Sequence, residues 1–277
     1  MNVVEANGAK IPAIGLGTMT LQGEVCVGAV KTALQLGYRH VDTAERYNNE
    51  AAVGEGLHQG LRDAGLRRED VFVTTKVYHD KLAADDFQRS FDESLTKLKL
   101  PWVDLLLIHW PNPKIPLAET LAVLCKAKRD GRAKHVGVAN FTTALLEEAV
   151  RLADEPLVTN QIEVHPFLDQ GKVLAACRSH GLAVTAYCPL ARGKIAGNET
   201  LERIGRAHGK SASQIALRYL VQQGIIPIPR TANPAHLAAN LAIFDFSLTD
   251  DEMAEVDGLR QPGTRVVNPP HAPKWDD

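Results

Sequence analysis

Four polar side chains stand at or just past the ends of apolar runs in the first half of the chain. Their types suit proton transfer to a carbonyl oxygen. Asp42 and Tyr47 lie in His40-Val41-Asp42-Thr43-Ala44-Glu45-Arg46-Tyr47-Asn48-Asn49-Glu50. Lys76 ends Val71-Phe72-Val73-Thr74-Thr75-Lys76, and His109 follows Val103-Asp104-Leu105-Leu106-Leu107-Ile108. A tyrosine, with an ordinary pKa of about 10, protonates a developing alkoxide only when a cation beside it stabilises the phenolate left behind. Lys76 is the candidate cation and Asp42 the anion that would hold it, so Lys76 is expected to lower the Tyr47 pKa. His109 is a candidate second donor to the same oxygen, and its protonation state is not legible in sequence. Singly, each residue has a plainer reading: aspartates at strand ends cap helices, and lone histidines are usually satisfied core residues. The four in this order argue for one site.

Such a set needs a scaffold that ends several strands at one face. The apolar stretches are continuous rather than alternating, which argues for a parallel sheet covered by helices. Strands are expected near 13–16, 38–41, 71–75, 103–108, 133–138, 158–163, 183–187 and 225–228. Helices are expected near 25–36, 49–64, 85–98, 117–130, 142–153 and 171–180, and a pair, 199–208 and 211–222, precedes the last strand. Ser211 is the expected cap of the second of that pair. Gly37, Gly131 and Gly181 fall between a helix and the next strand, where a left-handed cap belongs. Asn7-Gly8, between Val3-Val4 and Lys10-Ile11, predicts a short hairpin. The pattern is that of a single-domain α/β protein, a (β/α)8 TIM barrel with an N-terminal hairpin and extra helices. The 277 residues suit one such barrel or two small domains, and no linker or charge run marks a boundary; a barrel's active site lies at the carboxyl ends of its strands.

Composition narrows the function classes. A net charge of −2 leaves no electrostatic footprint for nucleic acid or an acidic membrane. No apolar run reaches the roughly 20 residues of a membrane span. The start of the chain lacks the basic and apolar regions of a signal peptide. Cys26, Cys125, Cys177 and Cys188 are scattered without zinc spacing and read as reduced thiols in a cytoplasmic protein. His58, His135, His165 and His180 read as ordinary, and no His/Cys cluster, HExxH or paired carboxylate site suggests a metal.

Asp42-Thr43-Ala44 with Tyr47, Asn49 and Glu50, a strand ending in Lys76, and then Leu106-Leu107-Ile108-His109-Trp110-Pro111 together resemble the aldo-keto reductase superfamily. The resemblance runs from Gly15-Leu16-Gly17-Thr18 to the tail. That tail, Arg265-Val266-Val267 through Ala272-Pro273-Lys274-Trp275-Asp276, is similar to the bacterial 2,5-diketo-D-gluconate reductase branch (B-type). The resemblance implies a monomer whose hairpin plugs the barrel bottom and whose residues 261–277 fold over the mouth. It also implies that Tyr47 is the general acid, with Asp42, Lys76 and His109 completing a catalytic set.

Because no side chain supplies a hydride, a cofactor must, and the resemblance implies NADPH. Gly15-Leu16-Gly17-Thr18 is not a dinucleotide fingerprint, since Thr20 stands where the third glycine belongs. Its glycines read as close backbone approach at strand one, with Gly17 and Thr18 kept as cofactor-side candidates beside Asp42. Asn140 and Gln161, ending strands five and six, correspond to amides that hold the nicotinamide carboxamide, and Tyr187 would stack on the ring. Leu190 and Gly193, with Arg192 or Lys194, would meet the pyrophosphate, although a solvated basic loop is the alternative. Arg230, Thr231, His236 and Asn240 would serve the adenine end. Ala139 and Cys188 stand where serine is usual, His236 where arginine is usual, and Ala239 removes a carboxylate. A mostly neutral imidazole lacks the guanidinium fork, so weakened discrimination against NADH is expected.

Met19, Tyr47, Tyr78, His109 and Trp110 are expected to line the substrate pocket, with Trp275 beside them. His79, Arg265 and His271 are candidates for a polar or carboxylated substrate. The expected substrate is a small-molecule carbonyl: a keto sugar such as 2,5-diketo-D-gluconate, or a 2-oxoaldehyde such as methylglyoxal. Two alternatives stay open, a broad-specificity detoxifying reductase and a cofactor-sensing regulatory subunit.

Overall fold

The computed structural model describes residues 2–276. The chain begins with a hairpin, β1 (Val3–Ala6) and β2 (Ala9–Pro12), joined through Asn7 and Gly8 at φ 43° and 86°. Eight parallel strands follow in sequence order: β3 (Leu16–Gly17), β4 (His40–Asp42), β5 (Phe72–Val77), β6 (Val103–Ile108), β7 (Ala133–Ala139), β8 (Leu157–Glu163), β9 (Ala183–Tyr187) and β10 (Ile225–Pro227). The sheet curls until its ends meet. Gly15 N–H donates to Pro227 O at 3.0 Å and Gly17 N–H to Pro229 O at 3.1 Å. A Cβ on Gly17 would lie 2.7 Å from Ile228 O, so the closure requires glycine there. The fold is the expected (β/α)8 barrel.

Helices connect the strands: α1 (Gly23–Leu36), α2 (Glu50–Asp63), α3 (Ala84–Leu98), α4 (Leu117–Arg129), α5 (Thr143–Leu152) and α6 (Gly171–Ser179), then α7 (Glu199–His208) and α8 (Ala212–Gln222) as a pair. Gly37, Gly131 and Gly181 have φ of 113°, 73° and 70°, as their positions between helix and strand required. Ser211 caps α8 in a reciprocal pair with Gln214. Strands one and two differ from expectation. They are assigned to Leu16–Gly17 and His40–Asp42 rather than 13–16 and 38–41, because ladder pairing, not apolarity, sets their limits. Two further helices, α9 (Pro234–Leu241) and α10 (Asp250–Asp257), follow β10. Their start signals were present: Asn233 before Pro234, and Thr249 three residues before Glu252.

The core has two layers. One lies between strands and helices. The other fills the barrel, where Phe72, Leu105, Leu107 and Ile226 meet Ala6, Ala9 and Ile11 of the hairpin. The two-residue strand period then builds the site. Climbing β5, Phe72, Thr74 and Lys76 face the same way; on β6 the series Leu105, Leu107 continues to His109; on β4, His40 leads to Asp42. Each series starts apolar or neutral near the hairpin and ends in an ionisable group at the carboxyl end.

Candidate active site

Asp42, Tyr47, Lys76 and His109 meet at that end. Lys76 is fully buried, and its Nζ donates to Asp42 Oδ1 at 2.6 Å and to Thr43 O at 2.8 Å. The same nitrogen is 3.5 Å from the Tyr47 hydroxyl. Asp42 Oδ2 accepts from Gln161 Nε2 at 2.8 Å. A charge inside a barrel is tolerated only when paired and hydrogen-bonded, and this pair has that support. Tyr47 sits on a short 3₁₀ turn, Glu45–Tyr47, that Glu45 pins to β5 and α3. The Glu45 carboxylate accepts from Ser90 Oγ at 3.1 Å and from Tyr78 N–H at 3.4 Å, and it pairs with Lys81.

His109 lies edge-on to two phenols, with ring centroids 5.7 Å from Tyr47 and 5.4 Å from Tyr78. Burial, then the Lys76 charge, holds its pKa well below the usual imidazole range, so the ring is neutral with a single N–H to give. Its Nδ1 is buried without a protein partner. Tyr47 corrects an expectation. Its pKa is raised, by burial first and the Asp42 charge second, rather than lowered by Lys76. The ammonium is already neutralised by Asp42, so the phenol at rest keeps its proton firmly.

A chain of amides and phenols forms the adjoining wall. Tyr187 OH donates to Asn140 Oδ1 at 2.7 Å, and Asn140 Nδ2 donates to His109 O at 2.9 Å. Asn140 and Cys188 both have left-handed backbones, φ 63° and 48°, an uncommon and strained choice for a cysteine. Beyond Tyr187, Arg192, Lys194 and Arg230 are exposed cations that no carboxylate pairs among the described residues, and Arg192 lies against the Cys188 thiol. Unpaired cations of this kind suit a polyanion, and the half-buried Tyr187 ring with two amides beside it suits a flat heteroaromatic. The donor set therefore fits a phosphorylated nicotinamide cofactor.

The remaining cofactor candidates are placed unevenly. Leu190 is half-buried beside the 3₁₀ turn Ala191–Gly193, where Gly193 has φ 93°. Thr231 and the exposed His236 lie at and on the N-terminal side of α9, where Thr231 Oγ1 accepts from Asn233 N–H at 3.0 Å. Gly17 and Thr18 serve the fold. Thr18 is fully buried, and its hydroxyl donates to Asp42 O at 2.9 Å. Asn240 is also buried, its side chain bonded to the Tyr38 hydroxyl.

On the substrate side, His109 lies between the Tyr47 and Tyr78 rings, Trp110 is 5.2 Å from His271, and Met19 is 41% exposed. The tail crosses this region. His271 stacks on His79 at 3.9 Å, its Nε2 is 3.3 Å from Tyr78 OH, and Trp275 is 6.0 Å from Trp110. The Arg265 guanidinium covers the Trp275 ring at 3.9 Å. Sequence reasoning passed over Glu163 and read His165 as ordinary. Both are fully buried, with His165 Nε2 3.0 Å from Glu163 Oε1, and the signal was their two-residue spacing after Gln161. No group of acids, histidines or cysteines among the described residues could hold a metal ion. No helix among them is long and apolar enough to cross a membrane.

A sequence profile described as "Aldo/keto reductase family" matches residues 13–261. Methylglyoxal reductase DkgB of Escherichia coli O157:H7 is 38% identical over 270 residues, covering 96% of this chain and 99% of its own. A crystal structure of a proposed 2,5-diketo-D-gluconic acid reductase B superposes with TM-score 0.96 at 48% identity, covering 100% of this chain and 98% of the other. An aldo-keto reductase of Bombyx mori in complex with NADP superposes with TM-score 0.87 at 36% identity, covering 93% and 92%.

Proposed function

This chain belongs to the aldo/keto reductase family and is an oxidoreductase, and from that premise we propose that it uses NADPH to reduce an aldehyde or ketone to an alcohol. The observation that carries the reading is the ammonium of Lys76 lying against both Asp42, at 2.6 Å, and the Tyr47 hydroxyl, at 3.5 Å. When bound, the reduced nicotinamide supplies the hydride that no side chain can. Tyr47 is the general acid. Its raised pKa keeps it protonated at rest, and Lys76 stabilises the phenolate only as the proton leaves for the carbonyl oxygen. A positioned acid of this kind contributes roughly 10²–10⁴-fold. Neutral His109 donates to the same oxygen and orients it, where charge develops in the transition state.

Tyr187, Asn140 and Gln161 are proposed to hold the nicotinamide. Arg192 and Lys194, with Leu190 and Gly193, face the pyrophosphate, and Arg230, Thr231 and His236 face the adenine end. A neutral His236 in place of a guanidinium supports use of NADH as well as NADPH. Gly17, Thr18, Asp42 and Asn240 support the cofactor floor through the fold contacts already described.

The substrate proposed is a small 2-oxoaldehyde such as methylglyoxal or a keto sugar such as 2,5-diketo-D-gluconate. The names of the similar proteins and the tail wall of His271 and Trp275 support it. Three of the four free thiols are buried, which supports a reducing, cytoplasmic setting for a proposed monomer. The test is steady-state turnover of methylglyoxal, 2,5-diketo-D-gluconate and 4-nitrobenzaldehyde with each cofactor. A preference for either of the first two is expected. Faster use of the nitrobenzaldehyde would favour a broad detoxifying reductase, and no turnover of any would defeat the reading.

A further inference from the structure

We propose that Glu163 is a positioning residue for the carbonyl substrate, fastening the tail that carries His271 and Trp275 onto the site. The inference rests on the reductase reading above. Glu163 ends β8 and is fully buried. Its Oε1 accepts the Val266 N–H at 2.6 Å, and its Oε2 accepts the Val267 N–H at 2.8 Å. His165 Nε2 lies 3.0 Å from the same Oε1, while His165 Nδ1 accepts from Phe167 N–H at 3.3 Å. With Nδ1 accepting, the ring proton belongs on Nε2, aimed at the carboxylate. A buried carboxylate is tolerable only with such donors, and bonds to an ionised acceptor are the strong ones. Two of its three donors come from backbone about a hundred residues away in sequence.

Position on the strand makes this an active-site matter. Gln161, two residues earlier on the same face of β8, donates to Asp42 Oδ2 at 2.8 Å. One strand thus holds the Asp42–Lys76 pair with one side chain and the tail with the next. Beyond the Glu163 anchor, the tail is tied to the barrel by Thr264 Oγ1, bonded to Phe167 O at 2.6 Å, and near its end by Asp276 Oδ2, which accepts from Thr143 N–H at 2.8 Å. The stretch between bears His271 against Tyr78 and Trp275 against Trp110. Without the carboxylate, that stretch loses its middle anchor and the substrate wall loosens, while the cofactor cations that follow β9 and β10 are untouched.

The test uses full-length Glu163→Gln, Val267→Pro and the double variant. Val267→Pro removes one of the donors without touching β8. Amide exchange is expected to quicken across 264–275 in each variant, with the barrel strands unchanged. KM for methylglyoxal should rise about tenfold, with kcat and the NADPH Kd within about threefold. The double variant should be no worse than the more affected single one, since both break the same anchor. Unchanged exchange at 264–275, an unchanged KM, additive losses, or exchange raised throughout the barrel would each overturn the assignment. Exchange needs no turnover, so a wild type inactive on every carbonyl would defeat the reductase reading while leaving the Glu163 anchor to be judged separately.

Discussion

Replacing Lys76 by methionine separates the two things this lysine does. Its ammonium is fully buried and bonded to Asp42, Thr43 O and, at 3.5 Å, the Tyr47 hydroxyl. Methionine fills similar space but leaves the Asp42 charge with Gln161 Nε2 as its remaining side-chain donor. Stranding one member of a buried pair costs about 3–5 kcal/mol. At about 2–3 °C per kcal/mol, that lowers Tm by roughly 6–15 °C. Asp42→Asn in the same chain removes the stranded charge and keeps a group that can bond Gln161, so the double variant should regain most of the loss. Turnover should behave differently. The phenolate of Tyr47 loses its cation in both variants, so kcat should stay down by about 10²–10³-fold. Differential scanning calorimetry and steady-state kinetics on wild type, Lys76→Met and Asp42→Asn/Lys76→Met decide it. A double variant that recovers turnover along with Tm, or a single variant with kcat within tenfold of wild type, would refute the reasoning.

Other predictions test separate parts of the account. Burial first, and Lys76 second, push the His40 pKa down to about 3. The folded form is therefore neutral where the unfolded chain binds a proton. Its stabilising effect is complete above pH 6.5 and is lost as pH falls from 6.5 toward 3, by about 2 kcal/mol between pH 6.5 and 5; urea melts of His40→Gln should show a shallower acid slope than wild type. Gly17→Ala places a Cβ 2.7 Å from Ile228 O at the barrel seam and should cost about 1–3 kcal/mol, read as a fall in urea midpoint. The ratio of kcat/KM for NADPH over NADH should lie below about a thousand, some 4 kcal/mol, and His236→Arg should raise it by about tenfold.

The order of elements was legible because the βα units repeat one grammar: an apolar run, a polar end, a helix and, in most of them, a glycine before the next strand. The four ionisable residues were legible because they sit at those polar ends. What failed was local. Strand one shrank to Leu16–Gly17 because closure there depends on backbone bonds to Pro227 and Pro229, contacts more than two hundred residues apart. The direction of the Tyr47 shift was missed because it is a balance. Sequence names the cation and the anion that holds it, but only the fold shows that burial, and then the Asp42 charge, dominate at the phenol. Glu163 was passed over because its two-residue spacing from Gln161 marks a face of the strand but not its partners in the tail, the Val266 and Val267 N–H groups.

The sharpest examination of the proton donor is Tyr47→Phe, which removes one oxygen and leaves the Asp42–Lys76 pair in place. NADPH affinity, followed by quenching of protein fluorescence, should stay within about twofold of wild type, while kcat/KM for methylglyoxal falls by about 10²–10⁴-fold. A phenylalanine variant that still reduces methylglyoxal at a near-normal rate would show that the proton comes from elsewhere.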